Sequence, residues 1–286
     1  MNSETRGILL MMLSAVSFGT LGVLGKYASA ADLSISTVLT YRFLGGTLFI
    51  WALVAYSGKL KLLHGQSLGV AVLLGSGFYA TQSGLYFLGL EYMTAGLVSL
   101  VVYTYPVLVV VLSYIFLNER ISRHIVVGLA LTLSGIAVIS GVDPVGADPR
   151  GVAIVLGAAL VYAGYYVTSH VAVDNIDPQT LTAYVLPSAG ASFVVFGVAT
   201  NSLSIPTTGN EVAILAAVAL VGTGIPIGAF FAGLAEVGAS RASIISSLEP
   251  ATAVVLGIIL LDDPLAGATV VGGLLILIGV LVIQRG

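Results

Sequence analysis

The 286-residue sequence contains no cysteine, one tryptophan and three histidines, and only 8% of its residues are charged. Without cysteine there are no disulfides, thiolate metal sites or cysteine nucleophiles. The three histidines form no cluster and join no serine in a hydrolytic arrangement. No Gly-x-x-x-x-Gly-Lys-Ser/Thr run is present to cradle ATP phosphates, and no other cofactor motif stands in its place. Ten basic residues, nowhere clustered, give no electrostatic footprint for nucleic acid. A net charge of −3 selects no partner. A soluble domain carries roughly 25% charged residues, so this chain lacks the polar residues to cover a water-facing surface. What it does have is 58% hydrophobic residues, a mean hydropathy of +1.08 and 35 glycines. Glycine is commoner in membrane helices than in soluble ones. Most of the surface is therefore expected to face lipid.

A hydrocarbon core about 30 Å thick takes roughly 20 apolar residues per helix. Such runs predict ten spans at about 7–29, 34–57, 67–88, 94–117, 122–141, 151–171, 179–200, 211–234, 240–261 and 266–284. The breaks carry turn residues: Ser57-Gly58-Lys59, Asn118-Glu119-Arg120, Asp143-Pro144, Asp148-Pro149, Asp177-Pro178 and Asp262-Asp263-Pro264. A membrane β-barrel would alternate apolar and polar residues, and runs such as Val107 to Leu112 do not.

Threading ten helices puts Arg6, Lys59, Lys61, Arg120, Arg123, Arg241 and Arg285 on one side and Arg150 alone on the other. By the positive-inside rule both termini are expected in the cytoplasm, with the chain multi-pass in the cell membrane. Ala28-Ser29-Ala30 resembles a signal-peptide cleavage site. The apolar stretch before it is longer than a usual signal core and takes part in the repeat described next, so it is expected to be retained.

A shift of 144 residues superposes the two halves without a gap. Gly7 falls on Gly151, Ala15 on Ala159, Gly89-Leu90 on Gly233-Leu234, Ala95 on Ala239, Ser99 on Ser243 and Pro106 on Pro250. The match continues with Leu117 on Leu261, Glu119 on Asp263, Gly128 on Gly272 and Gly135 on Gly279. About a third of the positions from Gly89 to Ser140 are identical to their partners. The expected organisation is an all-α polytopic membrane protein of ten transmembrane helices, with residues 1–142 and 143–286 as two five-helix repeats. Five is odd, so the second repeat enters the membrane from the opposite side. Inverted repeats of this kind are the usual build of secondary transporters.

The residues also resemble a known family. Ala95, Ser99, Pro106, Leu117-Asn118-Glu119-Arg120, Gly128 and Gly135, with Ala239-Ser240, Leu248-Glu249-Pro250, Leu261-Asp262-Asp263, Gly272 and Gly279, resemble the EamA-type branch of the drug/metabolite transporter superfamily. Ser17-Phe18-Gly19, Lys26 and Arg42 fit the same pattern. The resemblance implies a secondary carrier of small metabolites, often an exporter of amino acids or related compounds, with cytoplasmic termini. Asp262-Asp263 departs from the Gly-Glu more usual there, and the turn is taken as structural.

An ionisable group in mid-membrane costs roughly 2.5–3.5 kcal/mol on insertion scales, so each needs a reason. Glu249 falls near the midplane, just before Pro250, with Ser243, Ser246, Ser247 and Pro250 on one helical face. It is either a cavity carboxylate for a substrate amine or a coupling proton, or a structural acid paired with Lys26 or Arg42 or bonded to serines. Lys26 and Arg42 can snorkel from the outer third of their helices, and Arg42 can alternatively clamp a carboxylate. Thirteen tyrosines are present. Tyr27, Tyr56, Tyr92 and Tyr114 suit an interfacial belt. Tyr79, Gln82 and Tyr86 share one face of the third span, Tyr162, Tyr165 and Tyr166 one face of the sixth, and Tyr103 and Tyr105 flank Pro106. A buried phenol wants a hydrogen-bond partner, so these faces either line a cavity or pack between helices.

The candidate site is thus Glu249, Tyr79, Gln82, Tyr86, Tyr103, Tyr162, Arg42, Lys26, Ser243 and Ser246. Its expected partners are a small amphipathic solute, a proton as candidate coupling ion and the bilayer, with monomer and homodimer both open. Asp262-Asp263 has no second acidic motif beside it, so no metal–diphosphate site is expected and the chain is not read as an enzyme. A channel, or a lipid scramblase or flippase with the same helix plan, is the alternative.

Overall fold

The computed structural model describes residues 3–58, 61–117, 123–141, 148–173, 176–237, 242 and 245–284. Among them there is no strand. The helices are α1 (Ser3–Gly19), α2 (Leu21–Ala30), α3 (Ile35–Tyr56), α4 (Gly65–Val72), α5 (Ala80–Gly89), α6 (Ala95–Val102), α7 (Tyr105–Leu117) and α8 (Arg123–Gly141). The second half holds α9 (Pro149–Val173), α10 (Pro178–Ala199), α11 (Gly209–Ala219), α12 (Ile225–Val237), α13 (Leu248–Leu261) and α14 (Gly267–Gln284). Two π-helical segments, Leu73–Tyr79 and Leu220–Gly224, join α4 to α5 and α11 to α12.

Six helices or end-to-end helix pairs are long and apolar enough to cross a membrane: Ser3–Ala30, Ile35–Tyr56, Ala95–Phe116, Pro149–Ser169, Pro178–Ala199 and Gly209–Val237. Arg123–Ile139, Leu248–Leu261 and Gly267–Ile283 are shorter apolar helices. Their outer surfaces carry large apolar side chains such as Leu48, Phe116, Val195 and Ile259, each about two-thirds exposed (67–69%). Such a surface suits the lipid that surrounds a multi-pass membrane protein. Tyr27, Tyr56, Tyr92 and Tyr114 are also exposed, at helix ends, as an interfacial belt requires.

The main packing pairs an element of one half with an element of the other: α1 with α12, α3 with α10, α5 with α9, and α8 with α14. Under the 144-residue offset α1 corresponds to α9 and α5 to α12, so the first and third of these pairs are equivalents. The α8–α14 seam shows why small residues sit there. A Cβ at Gly128 would meet the Gly279 carbonyl at 2.6 Å, and one at Gly135 would meet the Gly272 carbonyl at 2.6 Å. The numbering runs opposite ways, so the two helices are antiparallel. In lipid the hydrophobic effect does not drive helices together, and this close backbone approach supplies the contact instead.

Helix breaks fall where side chains are needed inside. Thr20 interrupts α1 and α2, with its hydroxyl donating to the Ser17 carbonyl at 2.7 Å. Tyr103-Thr104 interrupts α6 and α7, and the Thr104 hydroxyl donates to the Val101 carbonyl at 2.8 Å. Pro187 lies inside α10, and Pro226 follows the second π segment. The expected turn at Asn118-Glu119-Arg120 and the Asp143-Pro144 break lie outside the described residues.

Candidate functional site

A cavity of about 110 Å³ lies between the two halves. Its polar lining is Ser14 of α1, Arg42 of α3, Gln82 of α5, Glu249 of α13 and Ser246 just before that helix. Tyrosines make the wall: Tyr79, Tyr86, Tyr103, Tyr105, Tyr162 and Tyr166. Phe18, Leu21, Val102 and Phe230 complete it with Ala15.

Eight of the ten residues predicted from sequence therefore surround one space. Lys26 is not among them. It lies midway along α2, and the carboxylate that acts on it is Asp263 rather than Glu249, so of the two basic partners open to Glu249 it is Arg42 that shares the cavity. Ser243 lies outside the described residues.

Arg42 is 4% exposed, and the surrounding helices hold its guanidinium firmly. Nε donates to Thr223 Oγ1 at 3.0 Å and Nη1 donates to Ser83 Oγ at 3.3 Å. The cation lies 5.0 Å from the centre of the Phe43 ring and 5.9 Å from that of Phe87. Snorkelling is thus not what Arg42 does; its fork is anchored inward. Hydrogen bonds and aromatic faces replace water around it, as a buried guanidinium requires. Thr223 reaches it because the π turn re-aims that residue, whose own hydroxyl donates to the Val218 carbonyl five residues back at 3.2 Å. π turns of this kind recur at functional sites.

Glu249 opens α13 and is half-buried. No ion pair within 4.0 Å joins it to Arg42, although the Arg42 charge acts on it. The cavity thus holds a guanidinium and a carboxyl group that are not in contact with each other. Two opposite charges facing one space can accept a solute carrying both signs, or can exchange a proton when the space is empty.

The tyrosines form a continuous ring cluster. The Tyr105 ring lies tilted at 4.6 Å from that of Tyr162 and stacks at 5.0 Å on that of Tyr166, and its hydroxyl donates to that of Tyr166 at 3.4 Å. Tyr79 lies 6.5 Å from Tyr162 and 5.4 Å from Phe43. Tyr86 shares a hydrogen bond of 3.1 Å with Ser99. Behind the cluster a second chamber of about 160 Å³ shares Phe18, Tyr79, Tyr162, Tyr166 and Phe230 with the first. It adds Tyr165, Thr182, Val185, Leu186, Ile227 and Phe231. One end of the combined space is charged and the other aromatic and aliphatic.

Tyr105, Tyr166, Ser14 and Thr223 take part in this site and were outside the predicted set. Ser14 donates to the Pro226 carbonyl at 2.9 Å, tying α1 to the segment after the second π turn.

An all-helical membrane protein with a charged and aromatic cavity between two similar halves is built like a transporter of small solutes. The EamA-like transporter family matches residues 5–141 and again residues 149–285. The chain belongs to this family. A transporter of Archaeoglobus fulgidus named as uncharacterized is 30% identical over 204 residues, covering 69% of this chain and 71% of its own. The transporter YvbV of Bacillus subtilis, named likewise, is 28% identical over 98% of this chain and 92% of its own. The pseudopaline exporter CntI of Pseudomonas aeruginosa is 28% identical over 75% of this chain and 74% of its own. One solved crystal structure superposes with a TM-score of 0.68 at 18% identity, over 98% of this chain and 97% of that one, and shares the fold.

Proposed function

We propose that this protein is a secondary active transporter that moves a small amphipathic metabolite, an amino acid or a related compound, across the cell membrane by alternating access. The observation that carries the proposal is the cavity in which Arg42 and Glu249 face one space without an ion pair, beside a tyrosine wall and an apolar chamber. A solute with a carboxylate would take the Arg42 fork, an amine would take Glu249, and an apolar tail would enter the second chamber.

In this reading ten spans form two inverted repeats, residues 1–142 and 143–286, with both termini cytoplasmic. The antiparallel Gly128–Gly279 and Gly135–Gly272 contacts support it, because exchanging the halves carries one pair onto the other. The direction is export, as the name of the pseudopaline exporter suggests. Glu249 exchanges a proton with the aqueous side to which the cavity opens, so the coupling ion is H+. Monomer and homodimer both fit this scheme.

The test begins with a thermal-shift screen of purified protein against amino acids, nucleosides and organic acids. Radiolabelled counterflow of each stabilising solute in proteoliposomes follows. Saturable exchange without a net gradient supports the carrier. Unsaturable flux without exchange would make the protein a channel and end the proposal.

A further inference from the structure

Pro187 lies inside α10 and has no N–H to give the Ala183 carbonyl four residues back. Ala183 is buried, so that carbonyl would be stranded among apolar groups, where an unmet backbone acceptor is most costly. The other half of the chain supplies the donor. The Trp51 indole Nε1–H, on α3, donates to the Ala183 carbonyl at 2.8 Å. Trp51 is the sole tryptophan of the sequence and is half-exposed. An indole N–H in lipid needs an acceptor, and the one it reaches is the carbonyl that the proline leaves free.

The bond falls where α10 is weakest. Pro187 divides the helix into two arms, and the arm after it is fixed on α3. There Phe193 stacks on Phe43 at 5.9 Å, and a Cβ at Gly190 would meet that of Phe43 at 3.2 Å. The arm before it carries Thr182, Val185 and Leu186, part of the wall of the second chamber. Lacking the helix bond that proline deletes, this arm is joined less firmly to the rest of α10. The first π segment is packed against it: a Cβ at Gly75 would meet the Val185 carbonyl, and also the Ser188 Cβ at 2.6 Å. This contact stops the arm from moving closer to the π segment, which carries Tyr79 of the same chamber. Release of Trp51 therefore frees the arm to move away from Tyr79 and widen the chamber.

We propose that Trp51 is a positioning residue of the apolar chamber. Its indole stands in for the N–H that Pro187 lacks, clamps the first arm of α10 from the other half, and so sets the largest apolar group the chamber accepts. That this group belongs to a transported solute rests on the carrier reading above, whereas the width of the chamber is measurable without any solute.

The absence of cysteine lets a single reporter be placed in the natural chain. Thr182→Cys puts it in the chamber wall. Purified protein is labelled with methyl and with benzyl methanethiosulfonate, and the ratio of the two rates reads the width. Adding Trp51→Phe, which keeps an aromatic ring without the donor, is expected to raise the benzyl-to-methyl ratio about three- to tenfold, the scale of one lost hydrogen bond. Pro187→Ala restores an N–H at that position, so Trp51→Phe in that background is expected to leave the ratio near that of Pro187→Ala alone. Melting temperatures should follow the same pattern, with a fall of about 2–4 °C beside proline and none beside alanine. Should Trp51→Phe fail to fold, its recovery by Pro187→Ala supports the assignment equally. An unchanged ratio, or equal effects of Trp51→Phe in both backgrounds, failure to fold included, would make Trp51 a packing residue and overturn the proposal. The expected pattern together with absent counterflow of every solute in the screen above would leave the positioning role standing and remove the transport reading.

Discussion

Arg42 and Thr223 are joined across the two family segments by a buried hydrogen bond of 3.0 Å, the Arg42 Nε donating to the Thr223 hydroxyl. Thr223 is completely buried. The bond fixes a cation from the second span beside a cavity that elements of both segments enclose, and makes the π turn of Leu220–Gly224 part of the site.

Thr223→Val removes the acceptor and leaves the buried guanidinium with an unmet donor. We expect a loss of about 1–3 kcal/mol in stability, seen as a lower melting temperature in detergent, with near-complete recovery in Thr223→Ser. A melting curve for Thr223→Val that overlays the wild type would mean that Arg42 does not depend on this bond.

The α8–α14 seam gives a second expectation. At Gly135 a methyl group would meet the Gly272 carbonyl and the Ile276 backbone nitrogen at 2.6 and 3.0 Å. Backbone cannot yield as a side chain can, so Gly135→Ala should cost about 1–3 kcal/mol through forced separation of the helices. Gly69, with nothing within 4 Å, is the control. Gly69→Ala should be neutral or gain up to about 1 kcal/mol from helix propensity. Equal melting temperatures for the two variants would contradict the seam.

Much of this arrangement was legible from spacing alone. Tyr79, Gln82 and Tyr86 fall three and four residues apart, and that periodicity carried them to one wall. The repeat picked out the glycines of the α8–α14 seam because Gly128 and Gly135 recur as Gly272 and Gly279. Tyr105 is different. Two residues after Tyr103, it would point away from it on a continuous helix, yet both face the cavity because the helix is interrupted at Tyr103-Thr104. Thr223 is hidden for a related reason: a π turn shifts the angular register, and a threonine between two glycines gives no sign of it. Ser14 is one hydroxyl in an apolar run. That Asp263 rather than Glu249 acts on Lys26 depends on the tertiary path of the α13–α14 turn, which no local pattern encodes.

Topology is open to direct test with the same cysteine-free background. Ser57→Cys and Leu265→Cys are both at exposed turn positions. Ten spans with cytoplasmic termini place them on opposite sides, so an impermeant thiol reagent should label each in only one vesicle orientation, and not the same one. Labelling of both from one side would contradict the inverted arrangement.

In the proposed transport cycle Glu249 acts on the solute or its coupling proton within the cavity. Glu249→Gln keeps the shape and much of the hydrogen bonding but fixes the group as neutral. If Glu249 were only a structural counter-charge, the same change would strand a buried cation and lower stability and yield. The most direct measurement is counterflow of a solute that stabilises the purified protein, in proteoliposomes at several pH values, with Glu249→Gln and wild type side by side and a melting curve for each. We predict saturable exchange in the wild type and, in a variant melting within about 2 °C of it, either no exchange or exchange that no longer depends on pH. Exchange in Glu249→Gln at the wild-type rate with an unchanged pH profile would contradict the account.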